Sequence, residues 1–541
     1  MRAVGMVDAA PWAWRAGRAV RTPVPVLGHS VTQEEAIVLH RMRIVALAGL
    51  MIVLAIASPV AGAVPTDSSA LRAAVTAEDM NEHLVAFQAI ADAHNGTRAS
   101  GTPGYDASVA YVVSELQDAG YEVTTQPFIF PYEEVLAAEL EVLVPTGGDQ
   151  LVFQEDFVVA FGSANATVPV AVVTAVDVLF HTNPDTTSTS GCEDADFDGF
   201  PEGNVALIQR GTCGFHDKVV NAQEAQASGV IIFNEGNTSD REEVIFPDVT
   251  GATEITIPVL GISFAQGQEF VEQSASEDGL TVRIAVDIFR EDRLTSNVIA
   301  ELAGRDDRAV VVGAHLDSVL EGPGINDNGS GSAMILEIAL QMAALEIQPT
   351  NTVRFAFWGA EESGLLGAAH YVGGLSKREI KDTAINLNFD MVASPNFVRF
   401  VYDGDAGPNG SGVAEDVFLD YFASQGLATE PTPFDGRSDY GPFIAVGIPA
   451  GGLFTGAEGI KSAEEAVIYG GTPDLAYDPC YHAACDTIAN PNLEVLDQLA
   501  DAAAHATLTF AMTTSAVQGT DKGNAKGQST DMEFRGHRNT R

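Results

Sequence analysis

A few short segments of this chain concentrate side chains that can do chemistry. Gly313–Asp317 reads GAHLD and Gly322–Gly331 reads GPGINDNGSG. They set His315 and Asp317 at the end of an apolar run, with Asp327 in a glycine-rich loop twelve residues after His315. WGAEESG (Trp358–Gly364) carries the adjacent carboxylates Glu361 and Glu362, and NFDMV (Asn388–Val392) carries Asp390. DPCYHAACD (Asp478–Asp486) places Tyr481 and His482 between Cys480 and Cys485. Imidazoles and carboxylates at fixed loop positions are the ligand types a zinc site uses. Two His, two Asp and one Glu could serve as ligands, leaving Glu361 and Tyr481 for chemistry.

Each residue has a plainer reading to set beside that one. A lone His is more often structural, but His315 ends a buried run and Asp317 follows at i+2. A carboxylate on the far ring nitrogen fixes the tautomer and raises ligand basicity. Asp327 could simply shape an Asx turn among Asn326, Asn328 and Gly329. A turn does not require this Asp, whereas two metals ~3.5–4 Å apart require a bridging ligand. Strain gathers at sites of this kind, so a cis Asp327–Asn328 peptide is expected. Glu361 and Glu362 could decorate a helix N-terminus. Neighbouring side chains point to different places, so one could ligate while the other faces a metal-bound water. Asp390, between Phe389 and Met391, is poorly placed for solvation, which favours a ligand role. A Cys480–Cys485 bridge would close a loop too short to add much stability. Its use would be to aim His482 at a metal and the Tyr481 hydroxyl at an oxyanion.

Three other features carry less. Gly329–Ser332 lacks the order of a nucleophile elbow. Asp194–Gly199 resembles the start of a calcium loop, but position twelve is Val205 rather than Glu, so Ca2+ is a minor expectation beside a solvated acidic loop. Asp497 and Asp501, one helical turn apart, would repel each other and read as a solvated helix face.

The elements that must position these residues are legible as strand–helix alternation from Ser296 onward. Ala309–Ala314 is a continuous apolar strand, as in a sheet covered on both faces. Gly331–Leu345 is an apolar-periodic helix, Thr352–Trp358 a strand, Gly364–Gly373 a helix, Thr383–Phe389 a strand and Leu493–Met512 a closing helix. This predicts an α/β sandwich, in which ligands bind beyond the carboxyl ends of strands. His315, Glu361, Glu362 and Asp390 all fall just past such ends. Earlier, Ala77–Ala91 and Gly104–Gly120 have helical spacing, and Tyr121–Phe130 alternates like a strand. Between about Glu134 and Ile288 the pattern becomes short β-rich runs with one helix, Lys218–Ala227, which suggests an inserted, mostly β domain.

Of 541 residues, 28 are basic and 74 acidic, for a net charge of −46. That charge argues against nucleic acid and anionic membranes as partners. His40, Arg41 and Arg43 precede the apolar run Ile44–Ala57, and Ala61-Gly62-Ala63 follows. This is the pattern of a secretory signal peptide, about 42–63, and the run is short for a membrane span. The four cysteines follow the expected cleavage site as two local pairs. Three pairings are open; Cys192–Cys213 and Cys480–Cys485 are favoured in an oxidising compartment, over a zinc-thiolate site that would want C-x-x-C.

The motifs together resemble those of secreted bacterial di-zinc aminopeptidases, in the clan that includes the Streptomyces and Aeromonas leucine aminopeptidases. The resemblance covers residues 79–130 and 289–515. Residues 134–288 resemble a protease-associated domain, through NVALIQRGTCGFHDKVVNAQEAQASGVIIFNEGN. It implies an α/β fold with a mixed central sheet sandwiched by helices, the zinc exopeptidase fold, carrying that β-rich insert. The implied organisation is a leader and signal peptide (1–63), the first part of the peptidase domain (64–133), the insert (134–288), the di-zinc peptidase domain (289–516) and a disordered tail (517–541). The resemblance further implies two Zn2+. His315 and Asp390 would hold one, Glu362 and His482 the other, and Asp327 would bridge. Glu361 would be the general base for a di-zinc-activated hydroxide, and Tyr481 would stabilise the tetrahedral intermediate. Arg437 in GRSDYGPF resembles a substrate-contacting arginine, and Met391 and Phe454 match positions lining an apolar side-chain pocket. The expectation is a secreted, monomeric enzyme that removes apolar residues from peptide or protein N-termini and has no stable membrane span after processing.

Three alternatives remain at this stage. A carboxypeptidase or dipeptidase could use the same fold; the former needs a cationic pocket, for which Arg437 is the obvious candidate. A cyclotransferase would favour a single-zinc site. A non-catalytic binding protein would be expected to have lost ligands or the base, and none is lost here.

Overall fold

The computed structural model describes residues 66–145, 147–180, 186–238 and 241–518. The expected signal segment and the tail beyond residue 518 lie outside them. Helices α1 (Ala77–Ala93) and α2 (Pro103–Asp118) start where the sequence caps them: Thr76 and Thr102 side chains accept the Asp79 and Tyr105 amides. Strand β1 (Glu122–Val144) is far longer than the expected Tyr121–Phe130. The insert then contributes β2 (Asp149–Leu151), β3 (Phe157–Val159), β4 (Ala166–Ala175), β5 (Val205–Gln209), α3 (Phe215–Glu224), β6 (Gly229–Phe233), β7 (Val259–Ile262) and α4 (Phe264–Ser274). Helix α4 was not anticipated, and β5, β6 and β7 run parallel. The insert is therefore more mixed than its β-rich pattern suggested.

Strand β8 (Thr281–Leu302) leads out of the insert and pairs antiparallel with β1 along nearly its whole length. One end of β8 also pairs with β4 of the insert and the other with β10 (Asn351–Trp358). The positions 133/134 and 288/289 thus fall inside a continuous two-stranded ribbon.

The remaining elements are β9 (Asp306–His315), α5 (Gly329–Ala344), α6 (Leu366–Gly374), β11 (Thr383–Phe389), β12 (Phe400–Tyr402), α7 (Ser411–Gln425), β13 (Glu430–Thr432), α8 (Tyr440–Ala445), β14 (Ala450–Phe454) and α9 (Leu493–Met512). The central order is β8-β10-β9-β11-β14-β12-β13, with β10, β9, β11 and β14 mutually parallel. Period-two alternation distributes β9 between two cores. Val310, Val312 and Ala314 pack with Leu84 and Phe87 of α1, Leu336 of α5 and Leu499 of α9. Val311 packs on the other face with Trp358, Tyr371 and Phe443. Helices thus cover both faces of the sheet. From β9 the chain passes to β10 on one side and then crosses over to β11 on the other, which opens a crevice at the carboxyl ends.

Candidate metal centre

The crevice is where the singled-out residues meet. His315 is the last residue of β9, Glu361 and Glu362 follow β10, Asp390 follows β11, and all are buried. The two glutamates sit in a turn before α6, not at its N-terminus; Ala360 and Gly364 flank them with φ of +52° and +108°.

His315 Nε2 lies 3.2 Å from Asp390 Oδ1, 3.3 Å from Asp327 Oδ1 and 4.0 Å from Glu361 Oε2. His482 Nε2 lies 3.1 Å from Asp327 Oδ2 and 3.2 Å from Glu362 Oε2. A ring nitrogen carries at most one proton, so hydrogen bonding alone does not account for three carboxylates around Nε2 of His315. Ligand atoms placed tetrahedrally around one zinc would be about 3.3 Å apart. The donor set therefore fits divalent cations. Asp327 turns one oxygen to each histidine, as a bridging carboxylate would. Among the described residues, the clusters able to hold a cation are His315–Asp327–Asp390, His315–Glu361–Glu362 and Asp327–Glu362–His482. The acidic loop at Asp194 is not among them; it forms a short turn in which Asp196 accepts the Glu193 amide.

The surroundings over-determine these positions. Nδ1 of His315 meets the Asp317 backbone carbonyl at 3.1 Å, with the Asp317 carboxylate at 3.7 Å. That carboxylate instead accepts the Glu361 amide at 3.2 Å, so Asp317 also fixes the glutamate turn. The Asp327–Asn328 peptide is cis. Asp486 accepts the amides of Asn326 and Asp327, and Asn328 donates to the Phe389 carbonyl, tying the bridging loop to the end of β11. Ser438 donates to Asp390 Oδ2 at 2.6 Å. Arg98, fully buried, donates to the carbonyls of Leu316, Pro323 and Gly324. Asp439, also fully buried, faces the same carboxylate cluster, and burial drives its pKa well above the carboxylate range. Arg98, Ser438, Asp439 and the inward aim of Asp486 were missed from sequence, where single polar residues in loops look like surface. The N-D-N-G-S loop did hold a signal, since Ser330 and Ser332 face the Asn326 and His315 carbonyls rather than solvent.

Charge crowding sets the proton affinities. Burial raises Glu361 well above its ordinary value; the His315 cation opposes this, and Glu362 and Asp439 add to it. Burial and the Asp327 charge raise Glu362 to about 7. Burial works against a charged His482, but Glu362 and Asp327 outweigh it and lift the ring to about 10.

Both favoured disulfides are present, Cys192–Cys213 and Cys480–Cys485. The second holds the loop on which Tyr481 stacks against His482, with ring centroids 3.8 Å apart. Arg437 binds Glu458 at 2.7 Å and donates to the Tyr481 hydroxyl at 3.3 Å. A cavity of about 60 Å3 beside the cluster is lined by Met391 and Phe454, with Tyr402, Thr432, Pro433 and Arg437. Asp497 and Asp501 are engaged rather than merely solvated: the former accepts the Ala77 amide, and the latter meets Arg72 and Tyr421.

Comparison with known proteins gives consistent matches. The description of Peptidase family M28 matches residues 297–507 and that of the PA domain matches residues 167–270. An aminopeptidase of Pseudomonas aeruginosa (strain UCBPP-PA14) is 46% identical over 449 residues, covering 82% of each chain. A probable lipoprotein aminopeptidase of Mycobacterium tuberculosis is 40% identical, covering 77% of this chain and 82% of its own. Among solved structures, an aminopeptidase from Aneurinibacillus sp. strain AM-1 is similar with a TM-score of 0.65 at 25% identity, covering 82% of this chain and 96% of its own. A zinc aminopeptidase from Bacillus subtilis is similar with a TM-score of 0.60 at 25% identity, covering 81% and 96%.

Proposed function

The chain belongs to peptidase family M28 and is a zinc-dependent aminopeptidase, and we propose that it uses two zinc ions to remove apolar N-terminal residues from peptides outside the cytoplasm. The observation that carries this reading is Asp327, whose two oxygens face the two histidines at 3.3 and 3.1 Å. His315, Asp390 and Asp327 would hold one ion, and Glu362, His482 and Asp327 the other. The ions supply Lewis acidity and lower the pKa of bound water.

The remaining steps belong to this chain's own side chains. Glu361 lines the cavity with its nearest histidine, His315, 4.0 Å away, and burial raises its proton affinity. It is suited to take a proton on its carboxylate and hand it to the leaving amine. Arg437 donates to the Tyr481 oxygen, which leaves the phenolic proton free to turn toward an oxyanion. The carboxylate-rich cavity suits a free α-ammonium group. Met391 and Phe454 give it an apolar side, which favours apolar first residues. Glu458 neutralises Arg437, the cation a carboxypeptidase would need for a terminal carboxylate. Two disulfides support an oxidising location, as does the signal pattern at 42–63. No described helix is long and apolar enough to cross a membrane.

The test is hydrolysis of leucine-p-nitroanilide beside its N-acetylated form. Cleavage of the free amine alone, lost with a chelator and restored by zinc, is expected. Equal cleavage of the blocked substrate would refute the exopeptidase reading.

A further inference from the structure

A second, larger cavity adjoins the metal centre. It measures about 490 Å3, against about 60 Å3 for the cavity beside the ligands. The two share Glu362, Arg437, Tyr481 and His482 as lining residues, so the large cavity abuts the metal centre. The small one has room for a single side chain. The large one lies in the range of sites that enclose whole ligands.

Its walls come from two parts of the chain. On the peptidase side stand the segments around Leu320 and Pro479. The facing wall belongs to the insert: Phe153, Val158, Phe161, Val244 and Phe246, each only half-buried. Five large apolar side chains, each partly solvent-accessible, therefore line one wall of the cleft. The cleft also contains carboxylates, but most are engaged. Glu133 pairs with Arg290 at 2.7 Å, Glu458 with Arg437 at 2.7 Å, and Glu321 accepts from Gln154 at 2.9 Å. Glu243 is exposed. The Gln154–Glu321 bond crosses the cleft and ties the insert to the loop after β9. The open character of the wall is therefore apolar.

We propose that this cleft binds the two or three substrate residues that follow the scissile bond, and that the insert thereby selects peptides with apolar second and third residues. The proposal rests on the aminopeptidase reading. An aminopeptidase must lead the rest of its substrate away from the metals. Like the small cavity, which takes the first side chain, this cleft touches Tyr481 and His482. The insert is thus part of the substrate site, although none of its described residues is a candidate metal ligand.

The experiment compares kcat/KM for Leu-Phe-Val-amide, Leu-Gly-Gly-amide and leucine-p-nitroanilide in the full chain and in a Val244→Ser, Phe246→Ser double variant. The wild type should favour Leu-Phe-Val-amide over Leu-Gly-Gly-amide by about tenfold or more, the scale of lost apolar pocket contacts. In the variant, the ratio of Leu-Phe-Val-amide to the anilide should fall by about tenfold. The anilide rate in the same preparation reports on folding and the metal centre. An unchanged ratio, or equal use of both peptides by the wild type, would overturn the cleft assignment alone. No cleavage of any free-amine substrate by the wild type would remove the aminopeptidase reading and this proposal with it.

Discussion

At the scale of single residues, the account depends on adjacent carboxylates having different partners. Glu362 turns to His482 at 3.2 Å, while Glu361 stands 4.0 Å from His315 and lines the cavity. Replacing Glu361 by Gln keeps the shape but removes the proton acceptor. The expected result is a loss of roughly 10²–10⁴ in kcat with zinc content unchanged, read by kinetics beside metal analysis. Loss of zinc in that variant would make Glu361 a ligand instead. Ser438 tests the supporting layer. Its hydroxyl donates to Asp390 at 2.6 Å, so Ser438→Ala should weaken zinc binding by roughly 10–100-fold in a competition titration. Unchanged affinity would show that Asp390 needs no such support.

At the scale of elements, strands set where the chemistry lies and short loops set where it points. Cys480 and Cys485 are five positions apart, so their bridge constrains little of the unfolded chain. Its stabilisation belongs at the low end, about 2 kcal/mol. A Cys480→Ala, Cys485→Ala protein should melt only a few degrees lower, roughly the shift for a large domain. Its kcat/KM should drop by about tenfold or more, because Tyr481 and His482 lose their fixed loop. A large melting shift with normal activity would assign the bridge to stability instead. The same loop predicts a pH effect. Glu362, raised to about 7, contributes fully to folding below its ordinary value and loses that contribution as pH rises through about 7. His482, raised to about 10, loses its contribution on the same sign between its ordinary value and about 10. Chelator-stripped protein should therefore become less stable from about pH 5 to about pH 9. Zinc-saturated protein should change less, since the cation takes the place of the protons. Urea midpoints at several pH values check this, and a rising midpoint in the stripped protein would contradict it.

The parallel core strands were legible because continuous apolar runs such as Val310–Val312 have few other uses, and the ligands stand at their ends. The β1–β8 ribbon was not, because its strands are exposed along much of their length and pairing between them leaves no hydropathy signal. A change of texture near 134 and 288 was visible. The continuity of the strands through both points was not.

For the molecule as a whole, the insert and the peptidase elements are joined by β8, which belongs to the sheets of both. A large acidic chain can hold four buried site carboxylates close together because two histidines and a serine hydroxyl meet them, and because the donor set fits cations. The ligand types could be read from sequence, since metal chemistry restricts them to a few residues. The buried Arg98, which holds three carbonyls beside the site, could not: an arginine near a helix start usually signals surface. The most direct test is diffraction from zinc-loaded crystals at the zinc absorption edge. The account predicts two anomalous peaks, one among His315, Asp390 and Asp327 and the other among Glu362, His482 and Asp327. A single peak, or peaks away from Asp327, would contradict it.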